Sequence, residues 1–364
     1  MTLCSISEAI EDLQAGRMII LVDDPDRENE GDVVMLAEHV TPEAINFMAK
    51  EARGLICMPL DGESCDRLGL DSQAQRNTNQ HETAFTISIE AAKGVTTGIS
   101  AADRSKTIEV AARADCKPED LARPGHVFPL RAKDGGVLVR GGQTEGSVDL
   151  AKLAGARPAA VICEIMNDDG SMSRRPELEE FAKQHDIKIG TIADLIHYRL
   201  LNERTVERVD EQVLSSELGQ FNLVAYRDRT EDLVHLALTL GTIEPEEPTL
   251  VRVHNVDPLR DLFLVPEAGR WSLQEAMRRV AAEGRGVVLM LGNQVDSAAL
   301  LEHVSNLGTG NAAARRPSTY NTVGAGSQIL RDLGVRKMRL LSSPMKFNAI
   351  SGFDLEVVEY LPCD

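Results

Sequence analysis

The chain has 364 residues, 43% of them hydrophobic, and a formal net charge of −18. That length asks for two domains, each with enough apolar residues for its own core. The charge argues against nucleic acid or an anionic membrane as partner, and no apolar run reaches the ~18 residues of a membrane span.

The first predicted helix covers residues 7–13, with Ser5 or Ser7 as N-cap and Gly16 beyond its end. A buried strand follows at 18–22, then an acidic turn at 23–32 and a strand at 33–37. Thr41 and Pro42 open a helix over 42–51. A strand at 55–59 precedes a polar, aperiodic loop at 73–83. The pattern then predicts a strand at 84–89, a helix at 104–114 and a strand at 137–140. A helix at 145–153, a strand at 159–166 and helices at 176–185 and 193–201 complete this half. Residues 204–218 are charged and polar and read as a linker. From Phe221 a second pattern begins, with helices at 273–282 and 327–333 and strands at 287–291, 338–341 and 355–360. Strands and helices mix without regular βαβ alternation. The expected fold class is therefore α+β, with two domains, 1–203 and 219–364, each a mixed sheet packed by helices.

The six cysteines include no Cys-x-x-Cys pair, which speaks for reduced thiols and against a disulfide framework or a thiolate zinc cage. The start of the chain has neither the basic nor the apolar part of a signal peptide, so the expected location is the cytoplasm.

Four places can carry chemistry. The acidic turn offers hard oxygen ligands for a cation, with Arg27 ready to hold a phosphate or hydroxyl group; it also reads as a solvated turn. Val139-Arg-Gly-Gly-Gln-Thr-Glu145 opens a helix, where free N–H groups, Arg140 and the Thr144 hydroxyl favour an anion; an ordinary capped junction reads the same way. His126 is a candidate acid/base or a structural histidine. Glu164 lies inside an apolar strand, where it must be paired, protonated or ligand-bound unless the strand is an edge and the carboxylate points to water.

Five segments together resemble the 3,4-dihydroxy-2-butanone 4-phosphate synthase family. They are Asp23-Asp-x-x-Arg-Glu-Asn-Glu-Gly-Asp32, Gly54-Leu-Ile-Cys-Met-Pro-Leu60, Thr96-Thr-Gly-Ile-Ser-Ala-x-Asp-Arg104, Arg123-Pro-Gly-His-Val-Phe-Pro129 and Val161-Ile-Cys-Glu-Ile-Met-Asn-Asp-Asp-Gly170, in the family's order and spacing. The resemblance implies a sugar-phosphate substrate, ribulose 5-phosphate, a Mg²⁺ (or Mn²⁺) cofactor and a homodimer. It implies that Glu28 binds the metal, that Arg27, Glu30 and Asp32 touch the substrate's hydroxyls, and that Cys57 lines the site. By the same likeness Arg140, Gly141, Gly142 and Thr144 hold the phosphate, Thr97 belongs to a covering loop, and His126 and Glu164 are the acid/base pair. One position departs: the family's Arg-x-Gly-His-Thr has its metal-binding histidine where this chain has Gln143, whose amide oxygen is a hard ligand.

The second half resembles GTP cyclohydrolase II in Leu250-Val-Arg-Val-His254, Ala282-Glu-Gly-Arg-Gly-Val-Val-Leu289 and Gly324-Ala-Gly-Ser-Gln-Ile-Leu-Arg-Asp-Leu-Gly-Val-Arg-Lys-Met-Arg-Leu-Leu341. That enzyme places three zinc-binding cysteines just after such a Val-Arg-Val-His segment; residues 255–266 hold none. Thr319 and Asn321 stand where the family has Asp and Arg. No zinc and no GTP hydrolysis are expected.

Overall fold

The computed structural model describes the chain apart from residues 1–2, 26, 79–80, 82, 231–232, 264, 266–269, 293–300, 302–303, 306–319, 344–352 and 364. Thr319 lies outside the described residues, as does the side chain of Asn321. Two compact units, Met1–Tyr198 and Arg199–Asp364, divide the chain.

The first unit contains helices α1 (Ile6–Gln14), α2 (Pro42–Phe47), α3 (Gly62–Leu68), α4 (Ala101–Ala112), α5 (Gln143–Leu153) and α6 (Arg175–His185), and the start of α7 (Ile192–Asn202). Its strands are β1 (Ile19–Val22), β2 (Gly31–Leu36), β3 (Cys57–Leu60), β4 (Ile89–Ala91), β5 (Leu121–Arg131), β6 (Ala160–Glu164) and β7 (Lys188–Thr191). They form one sheet in the order β4-β5-β3-β6-β2-β1-β7, with parallel β1–β7 and β3–β5 pairs and antiparallel pairs elsewhere. Successive residues of β1 serve opposite faces, as strand geometry demands. Ile20 and Val22 pack with α2, α4 and α6, whereas Ile19 and Leu21 pack with α1, α5 and α7. The site described below sits at one end of the second face.

Several elements differ from the expectation here: α3 and β7 have no counterpart among the expected elements, and of the expected strand at 84–89 only Ile89 lies in a strand, β4. Residues 137–140 form no strand: Gly136–Leu138 is a short 3-10 turn, because the buried Asp149 carboxylate takes the Val137 N–H at 2.8 Å. β5 has no counterpart among the predicted strands, because Pro124, Gly125 and Pro129 interrupt its pattern while pairing to β3 and β4 holds it extended.

The second unit has strands β8 (Val206–Ser216), β9 (Gly219–Asp228), β10 (Leu233–Leu240), β11 (Thr249–Asn255), β12 (Gly286–Leu291), β13 (Lys337–Leu340) and β14 (Glu356–Tyr360). Helices α8 (Pro258–Asp261), α9 (Leu273–Glu283) and α10 (Tyr320–Asp332) accompany them. The sheet order is β14-β13-β11-β12-β10-β9-β8, antiparallel from β8 to β12 and parallel from β12 to β14. The core gathers Phe221, Leu238, Leu250, Ala276, Val280 and Val288. Ser272 and Glu275 cap α9 reciprocally and Gly284 closes it in the left-handed region.

Most of the segment read as a linker is therefore structured. Residues Val206–Ser216 form a long edge strand paired with β9 from Val206↔Asp228 to Ser216↔Gly219. Only its first residue is buried, so its sequence carries no apolar alternation.

Candidate active site

The turn after β1 is organised by Asp23, a nearly buried carboxylate. Its Oδ1 accepts the Glu30 N–H at 2.8 Å; its Oδ2 accepts the Glu28 N–H at 3.0 Å and Arg27 Nη1 at 2.8 Å. Arg174 clamps the same turn by donating to the Glu28 and Asn29 carbonyls at 2.7 and 2.6 Å. Arg27 Nη1 also donates to Glu28 Oε2 at 2.8 Å and to Gln143 Oε1 at 3.2 Å. Three oxygens of Asp23, Glu28 and Gln143 thus converge on one cationic nitrogen. His81 Nδ1 lies 3.9 Å from the other Glu28 oxygen.

Asp32 on β2 faces Glu164 on β6 in register. Burial raises the pKa of Asp32 well above the ordinary carboxylate range, and the neighbouring Glu164, Glu30, Glu28 and Asp23 push it the same way. Glu164 is raised by burial, although the Leu55 N–H donates to its Oε2 at 2.8 Å. Glu30 is raised by burial and by Glu28. A Cβ on Gly54 would fall 2.4 Å from the Glu164 carbonyl oxygen and 2.6 Å from its Oε2, so only glycine lets the chain pass this carboxylate. Cys57 is buried on the same face, and burial with Glu164 and Asp32 drives its thiol far up. A thiol held in this way stays neutral and is a poor nucleophile.

The start of α5 places Gln143 and Thr144, both buried, beside this cluster, with Gly142 as N-cap. Arg140 is engaged: Nη1 meets Glu145 Oε2 at 2.5 Å, and Nη2 donates to the His81 carbonyl at 2.8 Å and to Thr83 Oγ1 at 3.1 Å. A Cβ on Gly141 would meet Ile192 of α7 at 3.6 Å.

His126 and Thr97 form a second group. Cys57 pairs with Phe128 on one side and Ile162 on the other. The His126 ring is paired with Glu90, Nδ1 to Oε1 at 2.5 Å. Thr97 is exposed on a loop whose fold depends on Asp103: that carboxylate accepts the Thr96 and Gly98 N–H groups at 3.1 and 3.0 Å and the Thr96 hydroxyl at 2.7 Å.

Sequence reasoning passed over Asp23, Arg174, Glu90 and Asp103 as individuals. Asp23 and Asp103 stood inside segments already singled out; Arg174 and Glu90 gave no local signal, because their partners lie far along the chain. Among the described residues no three His, Cys, Asp or Glu side chains form a metal cage. A magnesium ion needs only one or two such ligands and keeps its waters, so the oxygen set around Arg27 suits it.

In the second unit the Val-Arg-Val-His segment is the end of β11. His254 is fully buried; its Nε2 lies 2.8 Å from Asp261 Oδ2 and its Nδ1 accepts Arg252 Nε at 3.3 Å. Asp261 also accepts the Asp257 and Leu273 N–H groups at 2.8 and 3.0 Å. Burial alone would raise Asp261, but these hydrogen bonds outweigh it and hold the carboxyl low; burial lowers His254. Arg260 donates to the Asn255 carbonyl at 2.9 Å.

Residues 7–198 match the family model for 3,4-dihydroxy-2-butanone 4-phosphate synthase, and residues 207–362 that for GTP cyclohydrolase II. A 3,4-dihydroxy-2-butanone 4-phosphate synthase of Pseudomonas aeruginosa is 64% identical, with 100% of each chain covered. A crystal structure of RibBX from A. baumannii, described as a two domain 3,4-dihydroxy-2-butanone 4-phosphate synthase, superposes with a TM-score of 0.82 at 48% identity, covering 99% of this chain and 100% of that one. A synthase solved in complex with two magnesium ions matches with a TM-score of 0.52 at 41% identity, over 54% of this chain and 96% of its own. The chain therefore belongs to the 3,4-dihydroxy-2-butanone 4-phosphate synthase family and is an enzyme of that kind, acting in riboflavin biosynthesis, with a second domain of the GTP cyclohydrolase II family.

Proposed function

We propose that the first unit converts D-ribulose 5-phosphate to L-3,4-dihydroxy-2-butanone 4-phosphate and formate by enolisation, dehydration and skeletal rearrangement. The observation that carries this reading is the set of Asp23, Glu28 and Gln143 oxygens around one cation, next to the protonation-prone Asp32–Glu164 pair. Glu28 and Gln143 would hold Mg²⁺ or Mn²⁺, which when bound acts as a Lewis acid toward the substrate's oxygens. Glu164, whose carboxyl burial pushes upward, is placed to move a proton at the carbon skeleton. His126 is the second acid/base group. Arg27, Glu30 and Asp32 orient the sugar hydroxyls, Cys57 excludes water from the sheet face, and Thr97 closes over the substrate. Arg140, the Gly141 and Gly142 backbone and Thr144 grip the phosphate, whose binding orients the reacting end. The water lost in dehydration returns when formate leaves, so the two products together contain every atom of the substrate.

The second unit does not fit zinc. Both nitrogens of His254 are committed to Asp261 and Arg252, and residues 255–266 include no cysteine. Without a zinc-activated water, GTP ring opening lacks its nucleophile. We read the working enzyme as a cytoplasmic homodimer with no nucleic-acid or membrane partner; among the described residues no helix is long and apolar enough to cross a membrane. The test is one assay run twice. With ribulose 5-phosphate, formate release should need Mg²⁺ and stop in excess chelator; with GTP, nothing should be released, and elemental analysis should find no stoichiometric zinc. Chelator-resistant formate release, GTP-dependent formate, or one zinc per chain would each overturn the corresponding part. Light scattering on the active species checks the dimer.

A further inference from the structure

We propose that Glu90 is the positioning residue for His126: it fixes the imidazole with its proton on Nδ1 and leaves Nε2 as the nitrogen that exchanges protons with substrate. The proposal rests on the reading of His126 as an acid/base group. A carboxylate only accepts, so the 2.5 Å contact between Glu90 Oε1 and Nδ1 selects the Nδ1–H tautomer. That arrangement keeps the lone pair of neutral imidazole on the far nitrogen, and an imidazolium formed there gains the charge of Glu90.

Two backbone features build the contact. Gly125 lets β5 approach β4 so closely that a Cβ there would lie 2.1 Å from the Ile89 carbonyl carbon and oxygen; the Gly125 N–H donates to Ser88 Oγ at 3.1 Å. This close approach brings His126 beside Glu90. Gly98, in the left-handed region at φ +85°, vacates the volume the carboxylate occupies: a Cβ would stand 1.2 Å from Glu90 Oε1. Asp103 holds that glycine through its N–H. One carboxylate therefore lies against both the acid/base histidine and the loop that carries Thr97.

The test uses the full chain with Mg²⁺ and ribulose 5-phosphate. Glu90→Ala should lower kcat at least ~10-fold, short of or equal to the ~10²–10⁴-fold loss on removing the acid/base group itself, with KM changed less than about threefold. Glu90→Gln, whose amide oxygen still accepts from Nδ1–H, should retain more activity than Glu90→Ala. The ¹⁵N shifts of His126, assigned by their absence in His126→Ala, should report a protonated Nδ1 in the wild type and a change toward protonated Nε2 in Glu90→Ala. In the His126→Ala background, Glu90→Ala should cost nothing further. Wild-type kcat in a folded Glu90→Ala, unchanged nitrogen shifts, or multiplicative losses in the double variant would each overturn the proposal. If His126→Ala keeps wild-type kcat, the acid/base reading fails instead, and the nitrogen shifts alone decide whether Glu90 fixes the ring.

Discussion

Asp32 and Glu164 are two carboxyls facing each other in register, and burial pushes both of them upward. Both carboxyls titrate higher in the folded chain than in the unfolded one, so the native state binds more protons from the ordinary carboxylate range upward. The sign follows: in that window stability falls as pH rises. Asp32→Asn should flatten this slope in metal-free buffer and stabilise the fold by about 0.5–2 kcal/mol while losing activity, a trade typical of functional sites. Urea midpoints across pH check it; a variant less stable than wild type at neutral pH would show that Asp32 is a net support. Gln143 belongs to the same scale. A neutral oxygen in place of a neutral imidazole leaves the site's charge unchanged but disfavours softer ions. Gln143→Ala should need more Mg²⁺ for half-maximal activity, and Gln143→His should bind transition metals more tightly. An unaltered Mg²⁺ dependence in Gln143→Ala would leave the residue as a mere part of the helix start.

At the scale of elements, β3 and β6 meet where Gly54 passes Glu164. Gly54→Ala should destabilise the fold by about 1–3 kcal/mol, read as a lower denaturant midpoint, because backbone oxygen and carboxylate both stand in the way. Full stability would mean that the strand ends relax freely. The sequence announces elements of this kind when one face is buried: β1, β2, β6 and α9 follow their apolar period or caps closely. It is silent at β8, whose exposed edge position removes the pattern, and at β5, where prolines mask a strand held by its neighbours. The site shows the same division. Glu28, Asp32, Gln143 and Glu164, which the fold brings near one another, each stand in a segment that the sequence singles out. Arg174 and Glu90 were not, since their meaning lies in contacts across the sheet.

For the whole molecule, the division near Tyr198 has a functional corollary. A synthase matching only 54% of this chain covers 96% of its own length, so the first unit corresponds to a complete enzyme elsewhere. A chain cut after Leu201 should fold and retain synthase activity with Mg²⁺. A folded truncation devoid of formate release would assign the second unit a part in catalysis. That second unit, meanwhile, keeps the loop after β11 in place by an Arg–His–Asp network in which every polar group is satisfied internally.

Arg27 Nη1 sits among the Asp23, Glu28 and Gln143 oxygens. If Glu28 and Gln143 hold Mg²⁺ as proposed, the ion would compete with this guanidinium, and Arg27 would be freed toward the substrate's hydroxyls. Metal and substrate binding would then be coupled, and linkage would make the coupling reciprocal: substrate should tighten Mg²⁺ binding as much as Mg²⁺ tightens substrate binding. Removing the competitor should uncouple them. Arg27→Ala should bind Mg²⁺ more tightly than wild type in the absence of substrate, yet gain little further affinity when substrate is added. Titration calorimetry with and without a non-reacting sugar phosphate measures both arms. Weaker Mg²⁺ binding by Arg27→Ala would mean that the arginine shapes the ion's seat instead of keeping it warm.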